Sequence, residues 1–185
     1  MKKIWLALFF VFPAIAFAEC NCEDDEYDEY GDPLPYVQYS YLGLNGGYSD
    51  FGSSSLNRGS RSIGAYYGHR YSEYFAAEID YAFLGTFSDP VNAITGHATA
   101  VTISALHHFD FNNSVSLYGK LGIGHTVAST SSAGGKSLTE PSYGFGFDIK
   151  ISRDWMMRLS NDYYAVGLPS KTRVINTRLG FAYRF

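Results

Sequence analysis

Charged side chains are scarce in this sequence. Only 17% of its 185 residues are Asp, Glu, Lys or Arg, whereas about a quarter is usual in globular chains. The formal net charge of −4 shows no basic excess that would point to nucleic acid. Two cysteines are too few for a disulfide framework. A mean hydropathy of −0.12 excludes a membrane protein built from several helices.

Aromatic residues and glycine are abundant instead. The sequence holds sixteen Tyr, fourteen Phe and nineteen Gly. So many aromatic residues are not typical of an intrinsically disordered chain. The length suits one domain. Composition alone is therefore typical of a soluble all-β domain. Whether that interpretation holds depends on how the residues are ordered along the chain.

The first eighteen residues have the pattern of a secretory signal peptide. Lys2 and Lys3 precede an uncharged apolar stretch over 4–17, and Ala16 and Ala18 give the small-x-small cleavage pattern. The apolar stretch is shorter than the roughly 20 residues that a membrane anchor needs. We expect cleavage after Ala18, so that the function resides in residues 19–185.

Residues 19–35 form an acidic segment that contains eight acids and no base. Such a block repels itself, and we expect it to be disordered. Its Cys20 and Cys22 face an oxidising compartment. They could form a strained internal disulfide or intermolecular bridges, or capture a metal together with nearby carboxylates.

From residue 36 onward the chain alternates between strand-like runs of period two and turn residues. We predict eight strands, each near the 9–11 residues that a tilted strand needs to cross a bilayer. They cover 37–49, 61–71, 75–85, 98–109, 115–127, 141–151, 155–166 and 173–185. The intervening segments 50–60, 86–97, 128–140 and 167–172 are long, whereas 72–74, 110–114 and 152–154 are tight. Long loops outside and short periplasmic turns are typical of an outer-membrane barrel.

The two faces of the strands differ in a way that favours a membrane. In the sixth strand, for example, Phe145, Phe147 and Ile149 alternate with Gly146 and Asp148. A soluble barrel would need many long charged side chains on its water face. The polar face here is instead mostly Gly, Ser and Ala, which suit a narrow eight-stranded interior. The sequence therefore predicts an all-β fold, an eight-stranded antiparallel transmembrane β-barrel over residues 36–185.

Several pieces of the chain carry a family resemblance. The segments SYLGLNGGYSDF, SIGAYYGHRYSEYFAAEIDYAFLG, SLYGKLGIGHT and LGFAYRF, in this order and spacing, resemble the OmpA-like outer-membrane β-barrel family. The resemblance covers residues 39–185 and implies the same barrel. The even strand number places both chain ends, and with them the acidic segment, on the periplasmic side. The resemblance also implies that the last strand is the signal read by the barrel-assembly machinery, through Leu179, Phe181, Tyr183 and Phe185. The peptidoglycan-binding domain of larger members is not carried over.

Ten charged residues fall on the predicted inner face and form a candidate lumen network. They are Arg70, Glu78, Asp80, Lys120, Asp148, Lys150, Arg158, Asp162, Arg178 and Arg184. Buried charges must be paired, and we expect Glu78 to pair with Lys120 or Arg158. The alternative role is a narrow gated ion path. Related barrels have interior networks of this type, but eight strands leave no room for a wide solute pore.

No catalytic or metal-binding pattern emerges from the five histidines. His125 with Thr126 and Ser129 gives only a weak hydrolase pattern, and no metal-ligand spacing occurs. His107 and His108 are interpreted as interfacial residues at the periplasmic end of the fourth strand. We therefore predict no enzyme and no cofactor. A lipid A-modifying enzyme and a soluble periplasmic ligand-binding barrel are the alternatives.

The expected partners follow from the predicted location in the outer membrane of a Gram-negative bacterium. Outer-membrane lipid surrounds the barrel. The bases in the outer segments would hold anionic lipopolysaccharide; they are Arg58, Arg61, Lys136, Lys171 and Arg173. Loops on a rigid scaffold often carry function. The expected role is thus membrane integrity and surface interaction, including adhesion to a host surface.

Overall fold

The computed structural model describes residues 38–52, 59–89, 94–131, 134–167 and 171–185. Eight strands occupy these ranges: β1 (Tyr39–Phe51), β2 (Ser60–Arg70), β3 (Phe75–Asp89), β4 (Ile94–Asp110), β5 (Val115–Thr130), β6 (Gly134–Lys150), β7 (Trp155–Gly167) and β8 (Lys171–Arg184). The predicted signal peptide, the acidic segment and both cysteines lie outside the described residues.

Sequential antiparallel pairing closes the eight strands into a barrel. Each strand pairs with the next, and β1 pairs with β8 from Tyr41 opposite Arg184 to Phe51 opposite Val174. The predicted all-β, eight-stranded antiparallel barrel is confirmed. Among the described residues, none forms a helix long and apolar enough to cross a membrane.

The two ends of the barrel differ. Tight turns over 71–74, 111–114 and 151–154 define the turn end, where both β1 begins and β8 finishes. The other connections define the opposite end, which we call the loop end. An even strand number places the beginning of β1 and the end of β8 at the same rim.

Side chains alternate between lumen and exterior as the sequence pattern predicts. Small and polar residues face inward, whereas large apolar residues face outward and remain exposed, such as Leu44 (69%), Ile103 (67%) and Leu121 (66%). A soluble barrel would place those apolar side chains inside. The outward apolar band is what a lipid environment requires.

Strands β3 to β6 are longer than predicted by three residues or more, and the predicted loops 86–97 and 128–140 are wrong in extent. Strands β3 to β6 run for 15, 17, 16 and 17 residues, well beyond the 9–11 residues that a bilayer needs. The excess lies at the loop end and forms what we call the wall, residues 86–89, 94–99, 125–130 and 134–140. Apart from Val127, its outward residues, such as Thr99, His125 and Thr139, are no longer apolar. Because the alternation of apolar and polar residues disappears there, the sequence pattern predicts loops in place of strands.

A β-bulge at the base of the wall redirects one strand. The register between β3 and β4 shifts between Phe83 and Gly85, and Gly85 has φ of 93°, a conformation that glycine adopts without strain. The extra residue reverses the alternation, so that Leu84 and Phe87 both end up buried. The bulge therefore supplies a large ring to the lumen at the loop end.

The lumen is filled in layers. Towards the loop end lies a cluster of buried apolar side chains, the apolar layer: Phe51, Ala82, Leu84, Phe87, Ala98, Ala100, Ala128, Tyr164, Val166 and Val174. Below it lies the ionic layer: Glu78, Asp80, His108, Lys120, Asp148, Arg158, Asp162 and Arg178. At the turn end three cations, Arg70, Lys150 and Arg184, form what we call the basic mouth.

Candidate functional site

The ionic layer is built around Arg158 on β7. Its Nε lies 2.6 Å from Asp148 Oδ1 and its Nη2 lies 2.7 Å from Asp148 Oδ2, a bidentate geometry that matches the carboxylate. Its Nη1 also donates to Glu78. One guanidinium thus neutralises carboxylates from β3 and β6 across the lumen.

Arg178 on β8 organises the second half of the layer. Its two terminal nitrogens lie 3.0 and 2.6 Å from the oxygens of Asp80. Its Nη2 also lies 2.7 Å from Asp162 Oδ2. Asn45 accepts a further hydrogen bond from Nη1 at 3.2 Å. This cluster lies closer to the loop end than the Arg158 cluster does.

Lys120 on β5 links the two halves. Its Nζ lies 3.1 Å from Glu78 Oε1, 3.4 Å from Asp162 Oδ1 and 3.6 Å from Asp80 Oδ2. Glu78 therefore contacts both cations that the sequence analysis named as alternatives, Lys120 and Arg158. A point charge with three rotatable donors suits this shared position.

Tyrosines complete the layer and were missed by the sequence analysis. Tyr41 donates its hydroxyl to Glu78 at 3.0 Å, and Tyr164 donates to Asp80 at 3.2 Å. The Arg158 guanidinium also lies over three rings, those of Tyr41, Tyr66 and Tyr118, at 5.1, 4.8 and 4.6 Å. All four tyrosines occupy inward positions, so strand parity could have identified them.

The interpretation of His108 as an interfacial residue is wrong. Its side chain is buried in the lumen, and its Nε2 lies 3.5 Å from Asp148 Oδ2. It shares the inward parity of Thr102 and Ser104 on β4, which is the signal that could have placed it. His107 does lie on the outer face, where its ring contacts Phe75 and Phe109.

The remaining three members of the predicted network lie apart from the ionic layer, in the basic mouth. Arg70 pairs with Asp110 at 2.9 Å. Lys150 and Arg184 are only partly buried. The predicted assembly signal faces outward along the second half of β8 and at the residue after it. Its members Leu179, Phe181, Tyr183 and Phe185 have exposed fractions between 44% and 64%.

The apolar layer separates the ionic layer from the loop end. Phe51, Leu84 and Val166 in this layer are fully buried, and the rings of Phe51 and Phe87 lie 5.5 Å apart. An apolar constriction excludes water and therefore ions. The geometry thus supports a closed lumen with a charged interior.

A cleft of about 620 Å³ opens on the wall at the loop end. We call it the hydroxyl cleft, because six of the ten described residues that line it are Ser or Thr. The ten residues are Gly59, Thr86, Phe87, Ser88, Thr95, Gly96, His97, Ser129, Thr130 and Ser131. No side chain in this set carries a permanent charge. Among the residues that the structure describes, no group of three or more His, Cys, Asp or Glu could hold a metal ion.

Comparison with known proteins agrees with this architecture. The family model described as outer membrane protein beta-barrel domain matches residues 6–185. No curated protein matches the sequence.

Solved structures with this fold are distant in sequence. Ail, the attachment invasion locus protein of Yersinia pestis, in complex with the heparin analogue sucrose octasulfate, is 22% identical, with a TM-score of 0.57, covering 82% of this chain and all of that one. Neisserial surface protein A is 16% identical, with a TM-score of 0.63 over 81% of this chain and all of the other. OprG of Pseudomonas aeruginosa is 13% identical, with a TM-score of 0.56 over 80% of this chain and 97% of the other. At these identities the likeness concerns the fold.

Proposed function

The chain belongs to the family of outer membrane protein beta-barrel domains, and on that premise we propose a structural and surface-interaction role in the outer membrane of a Gram-negative bacterium. In this proposal the turn end faces the periplasm and the loop end faces outward. Residues 1–18 are the signal peptide, and the acidic segment 19–35 precedes β1 on the periplasmic side. The barrel is the scaffold, and the wall carries the interaction.

The observation that carries the proposal is the extension of β3 to β6 beyond the membrane band. About 10 residues of tilted strand cross the hydrocarbon region, so these strands of 15 to 17 residues project several residues further. Their outward side chains change from Ile103 and Ile123 in the band to Thr99 and His125 above it. A sheet held in place by backbone pairing costs little ordering entropy when it binds a ligand.

The hydroxyl cleft defines the ligand class. Its Ser and Thr hydroxyls can both donate and accept hydrogen bonds, as the hydroxyls of a neutral carbohydrate do. Ail is known with a sulfated heparin analogue, whereas the lining of this cleft, as far as the structure describes it, holds no Lys or Arg to pair with sulfate. We therefore assign the cleft to neutral glycans of a host surface.

Cell adhesion to immobilised glycans tests this role. Ser129→Trp fills the cleft, and Ser137→Trp places the same ring on the outer face of β6 away from it. We expect cells that express the wild type or Ser137→Trp to be retained on neutral glycans, and retention with Ser129→Trp to fall at least about tenfold, which corresponds to about 1.4 kcal/mol. Equal retention for the two variants, or retention on heparin alone, would contradict the proposal.

Lipid contacts complete the proposed role. Arg61 on β2 and Arg173 on β8 are exposed on strands that flank β1 near the loop end, where they would meet the anionic headgroups of lipopolysaccharide. The outward side chains at the end of β8 are the proposed contact for the barrel-assembly machinery. We propose no conducting role for the lumen, since the apolar layer lies across it.

A further inference from the structure

The outer face of β7 and β8 carries a polar pair where the outward side of the barrel is otherwise apolar. Asn161 on β7 donates a hydrogen bond from its Nδ2 to Thr177 Oγ1 on the neighbouring strand at 3.2 Å. Both side chains share the outward parity of Leu159 and Leu179 and are partly exposed. At similar depth on the other described strands, the outward residues are apolar, aromatic or glycine.

The pair lies near the middle of the membrane-spanning part of the barrel. Asn161 is six residues from Trp155, where β7 begins at the turn end, and Thr177 is seven residues from Arg184, where β8 finishes at the same end. A tilted strand crosses the hydrocarbon region in about 9–11 residues. Acyl chains at this depth offer no hydrogen-bond donor or acceptor, so lipid does not satisfy a polar group there.

The pair leaves part of its hydrogen-bonding capacity unused. The Asn161 amide has two hydrogens and donates one of them to Thr177, while its Oδ1 is buried without a hydrogen-bond partner among the described residues. The Thr177 oxygen has room for a second donor besides Asn161. An unused polar group in hydrocarbon costs free energy, and a partner with matching groups at this depth would remove part of that cost.

A second copy of the chain meets this requirement through symmetry. All copies have the same orientation in a membrane, so a twofold axis along the membrane normal places the β7–β8 face of one barrel against the same face of the other. The two polar pairs then lie at the same depth. The second amide hydrogen of each Asn161 can be donated to the Thr177 oxygen of the other copy, whereas an unrelated membrane protein would match this depth only by chance.

We propose that two barrels associate in the plane of the membrane through the outer faces of β7 and β8, with Asn161 and Thr177 at the centre of the contact. The exposed side chains of Ile175 and Leu179 flank the pair and supply apolar packing. The contact lies within the bilayer, so it depends neither on the hydroxyl cleft of the wall nor on the ligand of that cleft.

Energy transfer between barrels in phospholipid vesicles tests the proposal. In a background with Cys20→Ser and Cys22→Ser, Arg153→Cys in an exposed turn carries a donor dye on one population and an acceptor dye on the other. We expect transfer above the random level at high lipid excess. Asn161→Leu together with Thr177→Val should raise the dissociation constant at least about fivefold, because two reciprocal hydrogen bonds are lost. Thr99→Val makes a similar polar-to-apolar change on the wall and should leave the dissociation constant unchanged.

The position of the dyes tests which face makes the contact, and it does so with the polar pair intact. Arg153 lies in the turn that leads into β7, whereas Glu73 lies in the turn between β2 and β3 on the far side of the barrel. Transfer from Arg153→Cys should therefore exceed transfer from Glu73→Cys. A heat-modifiable band verifies that each variant folds. Random transfer in the wild type, an unchanged dissociation constant in a folded double variant, or equal transfer from the two turns would overturn the proposal.

Discussion

Replacing Arg158 by methionine tests the energetics of the ionic layer. The variant removes the bidentate partner of Asp148 and leaves that carboxylate with His108 at 3.5 Å. Glu78 keeps Lys120 at 3.1 Å. Abandoning one buried charge costs about 3–5 kcal/mol, and the lost contacts with three tyrosine rings add about 0.5 kcal/mol each.

We therefore expect Arg158→Met to lower the free energy of unfolding by at least about 3 kcal/mol. Urea titration in phospholipid vesicles measures this, with fluorescence from Trp155 as the probe. Arg173→Met is the matched control, because that arginine is exposed on β8, and it should change the free energy by less than about 0.5 kcal/mol.

A second substitution separates charge from packing. If the cost of Arg158→Met comes from the abandoned carboxylate, Asp148→Asn in that background should restore about 2 kcal/mol. A loss below about 1 kcal/mol for Arg158→Met, or no recovery in the double variant, would refute the reasoning.

Three further predictions concern other parts of the barrel and use the same titration. Ile103→Arg, in the outward apolar band, should lower the free energy of unfolding by about 2–4 kcal/mol, whereas His97→Arg on the wall should lower it by less than about 1 kcal/mol. Equal losses would contradict this placement of the membrane. Tyr41→Phe should cost about 1.5–3 kcal/mol because it removes a hydrogen bond to Glu78. The buried Tyr66 hydroxyl has no hydrogen-bond partner among the described residues, so Tyr66→Phe should be neutral or stabilising; the reverse order would contradict the assigned bonds. Gly47→Ala should lower the folded fraction, since a Cβ there would lie 1.9 Å from Thr177 O on β8. Gly119→Ala should not, because a Cβ there would meet no atom of the described residues within 4 Å; equal folded fractions would refute this close approach.

Sequence reasoning predicted the barrel because lipid imposes a strong pattern on a strand. In β6, the large apolar residues Phe145 and Phe147 point outward, and the small or polar residues Gly146 and Asp148 point inward. A soluble barrel, whose outer surface meets water, favours the opposite arrangement. The same reasoning failed on the wall. The outer face of the wall meets water instead of lipid, so its outward residues, such as Thr139, show no apolar pattern, although backbone pairing continues.

For the lumen, the sequence identified which charged residues point inward but not how they are grouped. Parity alone assigned ten charges to one face, but parity does not give depth along the barrel. The structure divides them between the ionic layer and the basic mouth, since Arg158 is the fourth residue of β7, one layer further in from the turn end, whereas Arg184 ends β8 at the rim. Tyr41 and Tyr118 were not predicted as part of the network, because only charged residues of the inner face were considered for it. Their ring contacts with Arg158 depend on side-chain direction across the lumen, which no single strand pattern contains.

Site-directed labelling of intact cells tests the central claim, a membrane-spanning barrel whose wall projects outward, most directly. In a background with Cys20→Ser and Cys22→Ser, single cysteines replace Thr95 on the wall and Arg153 in a turn, both exposed. We predict that a membrane-impermeant maleimide labels Thr95→Cys on intact cells and labels Arg153→Cys only after the outer membrane is permeabilised. Labelling of Arg153→Cys on intact cells, or of both variants only after permeabilisation, would contradict the account.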